Sequence, residues 1–334
     1  MRVVRIGADA DTDPREAFEE AAELLRAGRL VAFPTETVYG LGAHALDERA
    51  VQRIYEAKGR PSINPIIVHV ADRDAARALS ADWTPTADVL ARTFWPGPIT
   101  LVVRKRDVVP DIVTAGRDTV GLRVPSHPVA LALIQRAGLP IAAPSANLST
   151  QVSPTTAEHV VRGLGDRVDL VLDGGPTTVG IESTVVDATG AVARVLRPGM
   201  ISLEDIAALT GAAEAAADDA DAAPRSPGLV GRHYAPRARL QLFPPERRWS
   251  AVSTARDERA QERRVGAMVF STLGLDFVTE HVMPSDPGAY ARSLYATLHA
   301  LDEAGCDLVL VERPPSRPEW TAIIDRLERG GATP

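Results

Sequence analysis

Phe33-Pro34-Thr35-Glu36-Thr37-Val38-Tyr39-Gly40-Leu41-Gly42, followed by Lys58-Gly59-Arg60-Pro61-Ser62-Ile63-Asn64-Pro65, is the stretch on which the reading of this chain turns. The first run crowds hydroxyls, a carboxylate and two glycines onto the end of a short apolar strand at 30–33. The second sets Lys, Arg and Asn, stiffened by prolines that break helices, just after a helix. Core packing asks for neither. A pocket for a small polar substrate beside a cradle for phosphates asks for both.

Outward from these runs the pattern is that of an α/β protein. Residues 15–28 read as an amphipathic helix with Phe18, Ala21, Ala22 and Leu25 on one face and Gly28 as its stop. A second helix is expected at 50–57, ended by Gly59 and Pro61, and the β-branched run 66–70 reads as a central strand. Helices are expected near 72–80, 84–94, 127–137, 155–164 and 202–210. Strands are expected at 99–104, 119–124, 140–143, 168–173, 182–187 and 192–197, with a rigid turn at Trp95-Pro96-Gly97-Pro98. Several strands follow one another without a helix between them, so the sheet is expected to be mixed rather than parallel. Residues 212–224 are acidic and low in complexity, and read as a solvated linker, partly helical at most. The segment 226–236 is too rich in Gly, Pro, Arg, His and Tyr to be only a spacer. Beyond it a strand at 265–270, a helix at 287–304, a strand at 307–311 and a helix at 319–329 make a smaller Rossmann-like α/β unit without G-x-G-x-x-G. The expected division is 1–211, a linker at 212–236, and 237–334.

Each polar cluster has a functional and a plain reading. Thr35, Glu36 and Thr37 orient a bound molecule or cap a turn. Lys58, Arg60 and Asn64 bind phosphates by charge-assisted bonds or solvate a helix end; no Walker loop is present. His69 sits opposite Val68 and Val70 in an alternating strand, as a core histidine or a ligand. Arg123, inside an apolar strand, must be paired if buried, with a substrate carboxylate or with a structural Asp or Glu. Pro144-Ser145-Ala146-Asn147, Glu182-Ser183-Thr184 and Arg197-Pro198-Gly199 repeat the theme at further strand ends, where α/β sheets hold ligands.

The chain has 334 residues, enough for two domains, with 45% hydrophobic residues. A net charge of −7 argues against broad electrostatic binding of nucleic acid. Lysine occurs only at Lys58 and Lys105 among many arginines, and a compact, mobile ammonium within the phosphate segment is suggestive. The lone cysteine, Cys306, excludes an internal disulfide and a cysteine zinc cluster, and its apolar neighbours make it a core residue. No apolar run approaches the ~20 residues of a membrane span, and the start of the chain has no signal-type apolar segment, so a cytoplasmic protein without membrane contact is expected.

The motifs F-P-T-E-T-V-Y-G-L-G, K-G-R-P-x-x-N-P, W-P-G-P-x-T, A-P-S-A-N and E-S-T-V, in this order and spacing, resemble those of the YrdC family over about residues 15–210. The tail from Ser226-Pro227-Gly228 and His233-Tyr234-Ala235-Pro236 resembles the extra domain of the family's two-domain branch. The resemblance implies a twisted mixed-sheet domain followed by a smaller Rossmann-like one. It implies a nucleotidyltransferase that condenses L-threonine, bicarbonate and ATP into threonylcarbamoyl-AMP and pyrophosphate, with Mg²⁺ carried on the ATP phosphates and no side-chain metal site. A separate transferase complex would then modify the adenosine beside the tRNA anticodon, and tRNA itself would bind this protein only weakly. Carried over by motif, Thr35, Thr37, His69, Arg123, the Ala143 backbone and Ser183 would hold threonine. Lys58, Arg60, Asn64, Thr119, Ser145, Asn147, Ser153, Arg197, His233 and Tyr234 would surround ATP or pyrophosphate, with Lys58 and Arg60 central to the transfer. The 226–236 segment would lie over the pocket mouth. Where some members carry an aromatic residue before His-Tyr-Ala-Pro this chain has Gly231, so His233 and Tyr234 would make the lid contact instead.

Two rival readings have visible tests. An RNA-binding or ribosome-maturation factor without catalysis would use the basic cleft alone, and the acidic charge balance counts against it. A carbamoyl-transfer maturation enzyme would carry acylphosphatase and zinc-finger modules, which one cysteine cannot supply.

Overall fold

The computed structural model describes residues 1–7, 13–216, 233–276 and 278–332. The chain forms two compact units, Met1–Ser149 with Pro154–Val230, and Thr150–Ser153 with Gly231–Pro334. A four-residue piece of the first half of the chain thus belongs to the second unit. Most of the expected linker and its lid segment, residues 217–232 with Gly231 among them, lie outside the described residues.

The strands of the first unit are β1 (Arg2–Arg5), β2 (Val31–Pro34), β3 (Tyr39–His44), β4 (Val68–His69), β5 (Ser80–Asp82), β6 (Ile99–Lys105), β7 (Thr119–Arg123), β8 (Ile141–Ala142), β9 (Leu170–Asp173), β10 (Thr184–Asp187), β11 (Ala193–Arg197) and β12 (Ala213–Ala215). Its helices are α1 (Pro14–Arg26), α2 (Glu48–Lys58), α3 (Arg73–Leu79), α4 (Pro85–Phe94), α5 (Asp111–Thr114), α6 (Pro128–Ala137), α7 (Ala157–Leu164) and α8 (Leu203–Thr210). The strands make one twisted mixed sheet in the order β1-β9-β2-β3-β8-β4-β7-β6-β10-β11-β12, with β5 beside β6. Side-chain caps start the helices: Asp47 accepts from Arg49 at α2, Thr84 from Ala87 at α4, and Ser202 with Asp205 makes a capping box at α8.

One departure concerns residues 213–215. They were expected to begin a solvated linker, partly helical at most, but they form β12, parallel to β11 with Ala193 opposite Ala213. An edge strand that needs few inward side chains overrides a weak helix propensity.

The packing of the sheet decides where a site can be. One face is buried throughout, with Leu41, Val68, Leu122, Leu101 and Val186 under Ile54 of α2, Leu90 of α4, Val160 of α7 and Ile206 of α8. On the other face, helices α1 and α6 cover Val4, Val31, Phe33, Leu170 and Leu172. On the neighbouring half of that face, over β4, β7, β6 and β10, the apolar cluster among the described residues is small: Ile67, Val102 and Val185 with Leu196 against them. Alternation places His69, Thr100, Thr119, Arg123 and Ser183 on this same half-face. Gly121 lies among them, where a Cβ would come 3.2 Å from Thr100 and 3.6 Å from Ile67.

The second unit holds four parallel strands, β13 (Arg239–Phe243), β14 (Val265–Val269), β15 (Val278–Val282) and β16 (Leu308–Glu312), in the order β13-β16-β14-β15. Helices α9 (Arg248–Ala260), α10 (Pro287–Glu303) and α11 (Thr321–Gly331) accompany them. This is the smaller Rossmann-like sheet that the sequence led one to expect, with two further strands and a helix. Cys306 is buried, its sulfur beside Gly266.

Candidate active site

The turn between β2 and β3 is built by Thr35. Its hydroxyl donates to the Val38 carbonyl at 2.7 Å and accepts from the N–H groups of Thr37 and Val38 at 3.2 and 3.3 Å. This side chain closes the turn as a backbone group would. The loop between β9 and β10 adds the Val179 N–H to the Glu36 carbonyl at 2.7 Å and the Gly180 N–H to the Thr37 carbonyl at 3.1 Å. The Tyr39 hydroxyl anchors that loop by donating to the Gly175 carbonyl at 2.7 Å. Burial and the neighbouring Asp173 push the Tyr39 phenol well above its ordinary range, so it stays a donor.

The held turn presents Glu36 and Thr37 to the end of β7. Arg123 Nη2 donates to Glu36 Oε1 at 2.7 Å and to Thr37 Oγ1 at 3.0 Å, and the Ser126 N–H donates to Glu36 Oε2 at 3.1 Å. Both charged partners are buried. Arg123 Nε is buried with no partner among the described residues. Of the two readings of Arg123, the structural carboxylate is therefore present, and the guanidinium still has a donor to spare.

His69 stands opposite Arg123 in the β4–β7 register and meets Phe33 edge-on at 6.4 Å. Burial, reinforced by the Arg123 charge, pushes its imidazole down to about 3, so the ring is neutral at neutral pH. Its Nδ1 is buried without a partner among the described residues. Ser183 shares a 2.8 Å hydrogen bond with Thr100, and Arg197 Nη2 reaches the Ser183 carbonyl at 3.0 Å and its hydroxyl at 3.3 Å. Ala143 is fixed through its N–H, which donates to the Ile67 carbonyl at 3.0 Å.

The cationic segment after α2 is equally tied. Lys58 Nζ donates to the carbonyls of Ser145 and Asn147, both at 2.5 Å, and the Ser149 N–H returns a 2.8 Å bond to the Lys58 carbonyl. The ammonium is fixed, not the mobile charge the sequence suggested, because α2 ends against the 145–149 loop. Burial, and then the Arg60 charge, hold it well below the ordinary lysine range. Arg60 Nε donates to the Asn64 carbonyl at 3.2 Å and Nη2 to the Pro65 carbonyl at 2.8 Å, folding the loop around its own guanidinium. Asn64 Oδ1 is buried with no partner among the described residues. Thr119 opens β7, two register steps below Arg123 on the same face, beside a cavity of about 10 Å³ lined by Ile67, Thr100, Gly121 and Val185, room for about one water.

Thirteen of the sixteen candidate residues thus fall in the first unit. Thr35, Thr37, His69, Arg123, Ala143, Ser183 and Arg197 interlock around this polar half-face, and Lys58, Arg60, Asn64, Ser145 and Asn147 around the loop after α2. Arg197, expected beside the nucleotide, bonds to Ser183, expected beside the amino acid. Ser153, His233 and Tyr234 belong to the second unit. There the Tyr234 ring stacks on Tyr295 at 6.0 Å and lies 4.9 Å from the Arg326 guanidinium carbon, and His233 packs edge-on against it at 4.2 Å. Thr100 was passed over in the sequence, and Glu36, weighed there with Thr35 and Thr37, was given no site role of its own. The rule that a buried Arg needs a carboxylate pointed to a residue like Glu36 without saying which.

A family model described as Telomere recombination, named for Sua5, YciO and YrdC, matches residues 23–199. A second, described as the C-terminal domain of threonylcarbamoyl-AMP synthase, matches residues 201–332. The chain is 43% identical to a threonylcarbamoyl-AMP synthase of Bacillus subtilis, over 94% of this chain and 92% of that one. It is 40% identical to one of Pyrococcus abyssi, over 94% and 95%. The crystal structure of P. abyssi Sua5 complexed with L-threonine superposes with a TM-score of 0.90 at 38% identity, covering 99% of this chain and 97% of that one.

Proposed function

Because the chain belongs to the Sua5/YciO/YrdC family, we propose that it makes threonylcarbamoyl-AMP from L-threonine, bicarbonate and ATP and releases pyrophosphate. One observation supports this above the rest. Buried polar atoms on His69 and Arg123, on the half-face with few apolar residues, and on Asn64, in the loop after α2, lack partners among the described residues. A buried polar atom without a partner is destabilising by about 1–3 kcal/mol, and a zwitterionic, phosphate-bearing ligand pair offsets that penalty.

In this reading Arg123 meets the threonine carboxylate through the donors that Glu36 and Thr37 leave free, with Thr37, neutral His69 and Ser183 around the rest of the amino acid. Neutral imidazole suits the place: it adds no second positive charge beside the Arg123 guanidinium and the substrate amine. Threonine's amine condenses with bicarbonate to a carbamate with loss of water, and the carbamate oxygen attacks the α-phosphorus of ATP, breaking its bond to the leaving pyrophosphate. The reaction needs no enzyme nucleophile. It needs anionic reactants held together against their repulsion, which Arg60, Lys58 and Arg197 supply at fixed positions. Thr119, Ser145 and Asn147 would contact the nucleotide, and Ser153, His233 and Tyr234 are the second unit's candidates for it. Among the described residues no group of three or more His, Cys, Asp or Glu side chains could hold a metal ion. Mg²⁺ would therefore arrive on the ATP phosphates and neutralise their charge. The product would pass to a separate transferase acting on tRNA. Among the described residues no helix is long and apolar enough to cross a membrane.

The test is incubation of the full chain with ATP, threonine and bicarbonate, with mass detection of the adenylate. The adenylate should appear only when all three are present. ATP consumption that ignores threonine overturns the reading.

A further inference from the structure

We propose that Glu36 is a positioning residue for the amino-acid substrate, acting through Arg123; this rests on the reading of the half-face as a threonine site. Glu36 stands at the junction of three chain segments. Its carboxylate takes Arg123 Nη2 on one oxygen and the Ser126 N–H on the other, and its own carbonyl takes the Val179 N–H. The turn, the end of β7 and the β9–β10 loop therefore converge on one residue. A long arginine side chain in a strand end has several rotatable bonds, and a charge-assisted contact to a fixed carboxylate removes that freedom before any ligand arrives.

The bond pattern also sets which part of the guanidinium a ligand can use. Glu36 Oε1 and Thr37 Oγ1 both lie on Nη2, one for each of its hydrogens. Nε, buried and without a partner among the described residues, and Nη1 are left over. Were Arg123 held by nothing, it could turn its whole fork to any anion, including a phosphate of the second substrate. With Nη2 taken, a planar two-point grip on phosphate through that nitrogen is blocked, and a small carboxylate is left to meet the guanidinium through its remaining donors. Glu36 thus acts on selectivity between the two anionic substrates as well as on affinity.

The experiment uses the full chain with Glu36→Gln and Glu36→Asp. Glutamine keeps the shape and removes the charge; aspartate keeps the charge and is one methylene too short to reach both Arg123 and Ser126. Threonine binding is measured by calorimetry without ATP, and KM for threonine and for ATP by pyrophosphate release. Glu36→Gln should weaken threonine binding and raise its KM about tenfold or more, with the ATP KM within twofold of wild type. Glu36→Asp should fall between the two. Unchanged threonine affinity in both variants overturns the proposal, as does an equal rise in both KM values. If Glu36→Gln does not fold, Glu36→Asp decides by the same split. The two levels of inference separate cleanly. A wild-type protein that binds threonine but forms no adenylate defeats the proposed reaction, while weaker threonine binding in the variants still upholds the role of Glu36.

Discussion

The two sheets of this protein hold their most unusual side chains in the same kind of place, at strand ends, and put them to opposite use. In the second unit the chain leaves β14 toward β15 and leaves β16 toward α11, which packs on β13, so the ends of β14 and β16 form the crevice where open α/β sheets hold ligands. That crevice is filled. Phe270, Tyr290 and Trp320 meet at 5.5–5.9 Å between ring centres, and Arg248 closes on Glu312 at 3.2 Å while also bonding the carbonyls of Ser271 and Thr272. In the first unit the polar half-face is lined by Arg123, His69, Thr100 and Ser183, with three buried apolar residues among them. Fold-level rules locate the crevice, but the residue types decide whether it is a core or a site.

The largest blow to this contrast would come from Arg60→Ala. Threonine-dependent pyrophosphate release should fall about 10³-fold or more, roughly 4 kcal/mol of transition-state stabilisation, with the circular dichroism of a folded protein. Activity near wild type would remove Arg60 from the site. On the other side, Trp320→Ala should destabilise the second unit by about 3 kcal/mol, because it empties the aromatic cluster, and thermal melting would show it. A melting curve unmoved by that change would mean the crevice is not a core. His69 gives a third measurement. Its folded value is depressed below that of the unfolded chain, so the unfolded state binds more protons between about pH 6.5 and 3. The neutral ring's contribution is complete above 6.5 and is lost as the pH falls. Stability should drop by about 2 kcal/mol between pH 7 and 5, and His69→Gln should flatten that slope in pH-dependent denaturant melts. The smallest effect is expected at Tyr290→Phe. Its hydroxyl is buried without a partner among the described residues, so its removal should be neutral or stabilising by up to about 1 kcal/mol. A clear loss of stability there would reveal a polar role inside the second unit's crevice.

Much of the fold could be read because the helices carry their own punctuation. Gly59 and Gly138 take positive φ at the ends of α2 and α6, as glycine stops do. The elements that escaped have physical reasons. β3 contains Gly40 and Gly42, which read as loop. Gly42 is there because a Cβ would come 2.7 Å from Phe33 and 2.9 Å from Ile141 across the neighbouring strands, a demand no single sequence displays. Helix α9 buries only Ala251, Ala255 and Glu258, so it has almost no apolar period to detect. At the site, the residue types at strand ends were visible, and their grouping was not. Arg197 bonds to Ser183 because β10 and β11 pair, and Lys58 fixes the 145–149 loop across a separation of nearly ninety residues. Such partners are set by sheet order, which motifs alone do not state.

The fixed ammonium of Lys58 has a practical side. It is buried, and the other lysine, Lys105, donates to the Val109 carbonyl at 2.7 Å and pairs with Asp111 at 2.9 Å, its side chain only 13% exposed. A surface whose cations are otherwise arginine offers acylating reagents very little among its side chains. An amine-reactive dye should therefore leave both lysines largely unmodified in the folded protein and reach them once it is unfolded.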